Sequence, residues 1–452
     1  MKFTIFSVAP LKLKTKYDDW HRRTFIKKIK GMTVLNIRIR EKSWYPWLIV
    51  MLLWGVALLN YMDRQMLSTM KPAIMVNIPE LQKAENFGRL MAVFLWIYGL
   101  MSPMAGLIAD RINRKWLIIG SLGVWSFVTL TMGYATTFSQ LFVLRAVMGV
   151  SEALYMPAGL SLIADYHRGS TRSLAVGIHM TGIYLGQAFG GFGATVASSW
   201  TWQTAFHSFG LIGVIYCSVL ILFLSEKRDE WESSEGKISS FSGGLLSIRK
   251  SLGLLLGTAS FWVILFYFAA PSFPGWAVKN WLPTLFSGTL GIDMSKAGPL
   301  CTITVAMSSF AGVIIGGILA DKWTMINLKG RIYTGAIGLA LTLPALFLLG
   351  YGSGLFTIIS GGMMFGLGFG MFDANSMPIL CQFVSPGHRA AGYGFMNMAG
   401  IFIGAFTTVL LGKSSDAGRL GHDFVFLAIP VAAALVLVLT KLKPFVRDKT
   451  DD

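Results

Sequence analysis

Four ionisable residues stand in stretches of this chain that are otherwise too apolar to hold them. Asp63 and Arg64 fall near the end of the first apolar run, and Arg145 and Glu152 fall in the fourth. An ionisable group at membrane depth is costly and is functional by default. An arginine keeps its proton in a protein, so it must meet an anion, either a carboxylate of the chain or one on a solute. A carboxylate is neutral when dehydrated and charged when wet, which is what a proton carrier requires. Adjacent helical residues point about 100° apart. Asp63 and Arg64 therefore cannot share one face, which leaves one for the neighbouring helices and one for a central cavity. Arg145 and Glu152 lie two turns apart on one face, about 10 Å along the axis, so each needs a further partner. The competing reading is a static ion-pair lattice that locks helices together.

The runs that carry these residues set the fold. The 452 residues are 54% hydrophobic and 13% charged, against about 25% charged in a soluble domain. Apolar runs at 47–70, 88–109, 117–136, 138–164, 173–197, 203–225, 257–281, 297–320, 332–351, 354–384, 390–412 and 422–441 approach or exceed the roughly 20 residues that cross a bilayer. They predict an all-α integral membrane protein with twelve transmembrane helices. β-barrel strands would be short and alternating, and these runs are neither. The polar stretch Glu226–Lys250 separates six spans from six. The expected organisation is a basic tail (1–46), a six-helix bundle (47–225), a central loop (226–256), a second six-helix bundle (257–441) and a short tail (442–452).

The net charge of +17 could point to nucleic acid, but its distribution points to lipid. With both termini in the cytoplasm, thirty of the 39 Lys and Arg fall on the cytoplasmic side, as the positive-inside rule requires. No basic face is left for nucleic acid. Lys279 counts in this scheme among the few basic residues of the outer side. The first 46 residues carry twelve Lys and Arg and no cleavage signal. They read as a tail near anionic lipid, as an extension upstream of a true start at Met32, or as a partner-binding helix. Cys217, Cys301 and Cys381 fit neither a zinc site nor a disulfide framework. The FGLGFG run at 365–370 opens no helix outside the membrane, so it is no phosphate loop. With no Walker motif and no nucleophile–base set, the chain reads as a monomeric, cofactor-free membrane protein, not an enzyme. Any uphill transport must draw on an ion gradient.

A repeat divides the molecule. Gly106-Leu-Ile-Ala-Asp110-Arg111 follows the second span, and Gly317-Ile-Leu-Ala-Asp321-Lys322 follows the eighth. Internal repetition of this size fits a transporter of two similar bundles with a site between them at mid-membrane. Gly106 permits close helix approach. Asp110 can pair with a helix N-terminus or with an arginine across the bundle. Gly106, Asp110, Arg111, Arg114 and Asp321 are thus candidates for a cytoplasmic conformational latch, against the plainer reading of a basic turn.

At these residues the chain resembles a known family. GLIADRINRK (Gly106–Lys115) is similar to the major facilitator superfamily loop G-x-L-x-D-R-x-x-R-K, with Ile108 where Leu is usual, and the resemblance covers roughly residues 45–442. NYMDRQ (60–65), the Arg145–Pro157 stretch with its GVSEA, and SLIAD ending at Asp165 resemble two branches, the anion:cation symporters and the spinster-like carriers. The resemblance implies two six-helix bundles, proton coupling by Asp63 and Glu152, and Arg64 meeting the substrate's anionic group. Asn397, in GFMNMAG, and the loop from Trp281-Leu-Pro283 through Gly291 to Ala297-Gly298 look like the anion symporters. Asp373 departs from that pattern. A carboxylate would repel anions unless protonated or paired, and it leaves room for a neutral sugar or a zwitterion.

Further polar groups are available for substrate hydroxyls: Tyr61, Tyr98, Tyr155, Tyr184, Gln187, Asn375, Ser376 and His179. His179 also reads as a helix–helix contact. The glycines at 182, 186 and 190 repeat every four residues, which serves close packing. The expected function is proton-coupled symport of a small organic anion such as a sugar acid, in the cell membrane. A spinster-like carrier of amphipathic molecules is the alternative, and a non-transporting sensor of the same fold is a third.

Overall fold

The computed structural model describes residues 42–109, 111–167, 171–226, 252–384 and 388–442. The chain separates into Met1–Leu48 and one compact unit, Ile49–Asp452. The basic tail, most of the central loop and Asp110 lie outside the described residues.

Every regular element is helical among the described residues. In the first half these are α1 (Tyr45–Thr69), α2 (Lys71–Asn77), α3 (Ala84–Ala109), α4 (Arg114–Met132), α5 (Phe138–Tyr166), α6 (Arg172–Gly190), α7 (Gly193–Ser199) and α8 (Trp202–Phe223). In the second half they are α9 (Ala259–Ala269), α10 (Ser272–Leu290), α11 (Met294–Thr324), α12 (Gly330–Tyr351), α13 (Leu355–Phe383), α14 (Arg389–Asp416), α15 (Leu420–Phe426) and α16 (Ala428–Lys441). Short polar side chains start several of them. Asn113 accepts from Trp116 N–H to open α4, and Thr137 with Gln140 forms a capping box on α5.

Among the described residues eleven helices are long and apolar enough to cross a membrane, with α9 and α10 counted as one and α15 and α16 as another. The twelfth crossing is α6, of 19 residues, which carries Arg172, His179, Thr181 and Gln187 and so falls short on composition. The predicted run at 173–197 breaks at Gly191 into α6 and α7. The predicted run at 257–281 instead continues to Leu290. This matters for Lys279, which becomes an interior residue of a long span and not a residue at its end. Prolines 103, 157, 283, 299, 344 and 378 all lie inside helices, where neighbouring helices satisfy the freed backbone groups.

The spans form two six-helix bundles. The outer surface is apolar, with Phe127, Ile215, Trp262, Ile318, Phe347 and Val436 exposed. Bare side chains of this kind belong against lipid. Inside the first bundle α6 lies directly on α1. A Cβ added at Gly182, Gly186 or Gly190 would collide with the carbonyls of Trp54, Leu58 and Met62 respectively. The four-residue glycine period therefore matches a four-residue period on its neighbour.

The bundles are sealed to each other on the face opposite the termini. Asp416, at the end of α14, accepts from the N–H groups of Ala84 (2.7 Å) and Glu85 (2.9 Å) at the start of α3. A carboxylate at a helix N-terminus is well placed for the exposed amides and the dipole. Thr195 donates to Ser295 O (2.8 Å) and Thr302 to Ala188 O (3.0 Å). Lys71, 6% exposed, sits with Nζ 4.5 Å from the centre of the Trp281 ring.

Two outcomes follow. Asp416→Ala removes two hydrogen bonds at a half-wet site, about 1 kcal/mol after allowing for exposure. It should raise labelling of a cysteine placed at Asn280 from the sealed face about fivefold, and unchanged labelling would refute the seal. Burial also pulls the Lys71 ammonium down from 10.5 to about 8, opposed by Asp416. A wetted Lys71 in the opened state regains its ordinary value. Between about pH 8 and 10.5 the sealed state then binds fewer protons, so the seal strengthens as pH rises through that window and pays the full cost below it. Relative to Lys71→Met, wild-type opening should be faster at pH 7 and converge on the variant by about pH 10.5.

Candidate functional site

A cavity of about 470 Å³ lies between the bundles, within the range of small-molecule sites. Its first wall is built by Tyr61, Arg64 and Gln65 of α1, Tyr98 of α3, and Tyr184 and Gln187 of α6. Its second wall carries Lys279 and Asn280 of α10, Asp373 and Ser376 of α13, and Tyr393 and Asn397 of α14. Gln65 bridges the two, donating to Lys279 O at 2.9 Å.

Arg64 is the centre of the first wall. Its Nε donates to Glu152 Oε2 at 2.5 Å. The guanidinium carbon lies 4.8, 4.9 and 4.6 Å from the ring centres of Tyr61, Phe94 and Tyr98. Cation–π attraction in a dry site adds to the ion pair. Of the two kinds of anion that Arg64 could meet, a carboxylate of the chain holds it in this state. Glu152 is wholly buried on α5 and does not line the cavity. Its pairing with Arg64 supplies the partner that the spacing from Arg145 demanded.

Asp63 points the other way, into the first bundle. It is 8% exposed and accepts from Thr129 Oγ at 2.5 Å. Arg145, also buried, lies 4.6 Å from the Phe94 ring centre and donates to Met148 Sδ at 3.0 Å. It is within electrostatic reach of both Glu152 and Asp63. All four charges thus form one cluster, and of the four only Arg64 reaches the cavity.

Several expected ligands do not line the cavity. Tyr155 is wholly buried and donates to Leu53 O at 2.7 Å, tying α5 to α1. Asn375 is wholly buried and donates to Met371 O at 2.9 Å on its own helix. Both are bundle core. His179 is also buried, with its ring centre 6.0 Å from that of Tyr155, so it serves the helix contact. Tyr61, Tyr184, Gln187 and Asn397 do line the cavity, and Asn397 donates to Ser102 Oγ at 2.9 Å.

The repeated loops also differ from expectation. A Cβ at Gly106 would meet nothing within 4 Å, so close approach does not explain that glycine. Arg114 pairs with Asp165, and its N–H donates to Glu226 Oε1 at 3.2 Å. Glu226 ends the second of these contacts beyond α8, where burial raises its carboxyl and Arg114 opposes the shift. Arg111 N–H donates to Ile108 O at 3.1 Å in the turn before α4. Asp321 pairs with Arg331 at 2.6 Å on the surface of the second bundle. These pairs fasten each bundle to itself.

Sequence reading missed Thr129, Phe94 and Lys279. A threonine or a phenylalanine in an apolar run carries no signal of its own. Lys279 did carry one: Trp281-Leu-Pro283 continues the apolar pattern past it.

Comparison with known proteins agrees with this architecture. The family model described as Major Facilitator Superfamily matches residues 53–409. The chain is 27% identical over 414 residues to the chloroplastic ascorbate transporter of Arabidopsis thaliana, covering 87% of this chain and 73% of that one. It is 23% identical over 450 residues to a probable galactarate/D-glucarate transporter of Bacillus subtilis (strain 168), covering 90% and 94%. A solved structure, a bacterial homolog of the human lysosomal transporter spinster in an inward-facing and occupied conformation, superposes with TM-score 0.71 at 18% identity over 88% of this chain and 97% of that one.

The two groups of tyrosines separate experimentally. Tyr155→Phe should lower thermal stability by about 1 kcal/mol and leave ligand affinity unchanged. Tyr184→Phe should do the reverse. Isothermal titration beside a melting curve checks both, and a lost affinity in Tyr155→Phe would return it to the site.

Proposed function

Because this chain belongs to the Major Facilitator Superfamily, a family of multi-pass membrane transporters, we propose that it is a proton-coupled symporter of a small organic anion of the sugar-acid class. The observation that carries this reading is the Arg64–Glu152 pair on the cavity wall, 2.5 Å long with Glu152 buried. A permanent cation bound by a titratable carboxylate is an exchange site. While Glu152 is ionised it occupies the guanidinium. When Glu152 takes a proton, the pair loses its charge attraction and Arg64 needs another anion. A substrate carboxylate supplies it, with the bidentate geometry that arginine favours.

Proton and anion then enter together. A protonated but empty site leaves an unpaired buried cation, which costs about 3–5 kcal/mol. That cost resists proton leak without substrate. Asp63, behind Arg64 and held by Thr129, is the second carboxylate in the same field and a candidate relay. Tyr61, Tyr98, Tyr184, Gln187 and Asn397 offer hydrogen bonds to hydroxyls. The sugar-acid class is also that of the galactarate/D-glucarate transporter to which the chain is similar.

Both termini are assigned to the cytoplasm and the protein to the cell membrane, from the charge asymmetry of its loops. The Asp416 seal then faces outward, as it would in an inward-facing state. The loop residues Arg111, Arg114 and Asp321, with Asp110, would form their cross-bundle contacts in the opposite state. A charged cavity centre weighs against the alternative of a carrier for lipid-like molecules.

Glu152→Gln mimics the protonated acid permanently. In proteoliposomes it should abolish accumulation driven by a pH gradient, by at least about tenfold, while substrate binding and exchange persist. Arg64→Ala should lose binding itself. Uphill accumulation by Glu152→Gln under a proton gradient alone would overturn the coupling assignment.

A further inference from the structure

The second wall holds a cation that the exchange just described does not use. Lys279 lines the cavity from α10, and its Nζ lies 4.8 Å from the centre of the Trp276 ring. Among the described residues no hydrogen bond or ion pair is made by that Nζ. Its neighbours are otherwise engaged: Asn280 donates to Thr408 Oγ1 at 2.8 Å, and Gln65 is spent on the Lys279 carbonyl at 2.9 Å. Asp373 faces the same space from α13, exposed to the cavity and without a hydrogen bond among the described residues. Lys279 and Asp373 feel each other's charge but form no ion pair. An ammonium in a low-dielectric cavity that no carboxylate of the described residues contacts is suited to pair with an anionic ligand.

The first wall offers the complementary position. Arg64 and Lys279 stand on opposite walls, on helices that the Gln65 bridge brings together. We propose that Lys279 is the second anion-binding residue of the cavity, so that the transported solute is a dianion, a sugar acid carrying a carboxylate at each end. This deepens the sugar-acid reading above and rests on it.

The charges balance. In the empty site Glu152 offsets Arg64 and Asp373 offsets Lys279. A dianion brings two negative charges, and two protons, one on Glu152 and one on Asp373, restore neutrality. Asp373 is faced by Lys279 from α10, Tyr184 from α6, Tyr393 from α14 and Tyr61 from α1. Of these only Lys279 is a cation, so a carboxylate arriving at Lys279 meets Asp373 as its one negative neighbour among them. A sugar acid oxidised at one end fills only the Arg64 side and gains nothing from Lys279.

The test compares three six-carbon ligands on the full-length purified protein: a hexarate, the matching hexonate and the neutral hexitol. Wild type should bind the hexarate about tenfold more tightly than the hexonate. Lys279→Gln should erase that preference while hexonate affinity stays within about threefold. The retained hexonate binding also shows that the variant is folded. Lys279→Arg should keep the preference. Asp373→Asn should keep it too and flatten the dependence of hexarate affinity on pH. Equal losses of both acids in Lys279→Gln, or no loss of either, would overturn the proposal. Equal wild-type affinity for the two acids would defeat the dianion and leave the sugar-acid reading standing. Binding of the hexitol but of neither acid would defeat both.

Discussion

A guanidinium that cannot lose its proton has been placed where water is scarce, and the first bundle is arranged around that constraint. Arg64 has one carboxylate and three aromatic faces. The aromatic faces soften the cost of burial, but only the carboxylate cancels the charge. Glu152 must therefore approach from α5, and α5 must lie close to both α1 and α3. The means are visible one turn away. Gly149 sits where a Cβ would press on Phe94 O at 2.8 Å, and Tyr155 pins α5 to the Leu53 carbonyl. Phe94 itself lies under both Arg64 and Arg145. The packing of three helices and the charge state of one residue are thus a single problem with a single solution.

The two walls of the cavity solve different problems. The first wall holds its cation in a buried ion pair, Arg64 with Glu152. The second carries Lys279 on α10 and Asp373 on α13, and these two charges are not in contact with each other. One wall thus presents a cation already matched by a carboxylate, and the other a cation whose carboxylate stands apart.

The fold was readable because hydrophobic run length is the signal that the bilayer itself imposes. The twelve crossings followed from it, and the two-bundle repeat from the paired motifs Gly106–Arg111 and Gly317–Lys322. The polar crossing α6 was legible as a run although its composition is unlike the others. What was not legible was direction. Adjacent positions 63 and 64 must diverge, but no sequence rule says which one meets the cavity. Tyr155 and Tyr184 look alike in sequence, yet one closes a helix contact and the other faces the cavity. Asn375 and Asn397 part in the same way. Lys279 was misplaced for a boundary reason: ending the seventh run at residue 281 put the lysine at the interface, and nine further helical residues put it inside.

The glycines of α6 have an uneven consequence for how this sequence can drift. They touch the main chain of α1 chiefly through carbonyls, at Trp54, Leu58 and Met62. Every residue type has a carbonyl, so the carbonyl contact itself asks nothing of the side chains at those three positions; Trp54 is held for a separate reason, its Nε1–H donating to Thr181 Oγ1 at 2.9 Å. The opposing positions have no such freedom, since any Cβ at 182, 186 or 190 strikes backbone that cannot rotate away. Selection at this contact should thus weigh on one helix alone, and a compensating change on the other could not rescue a lost glycine.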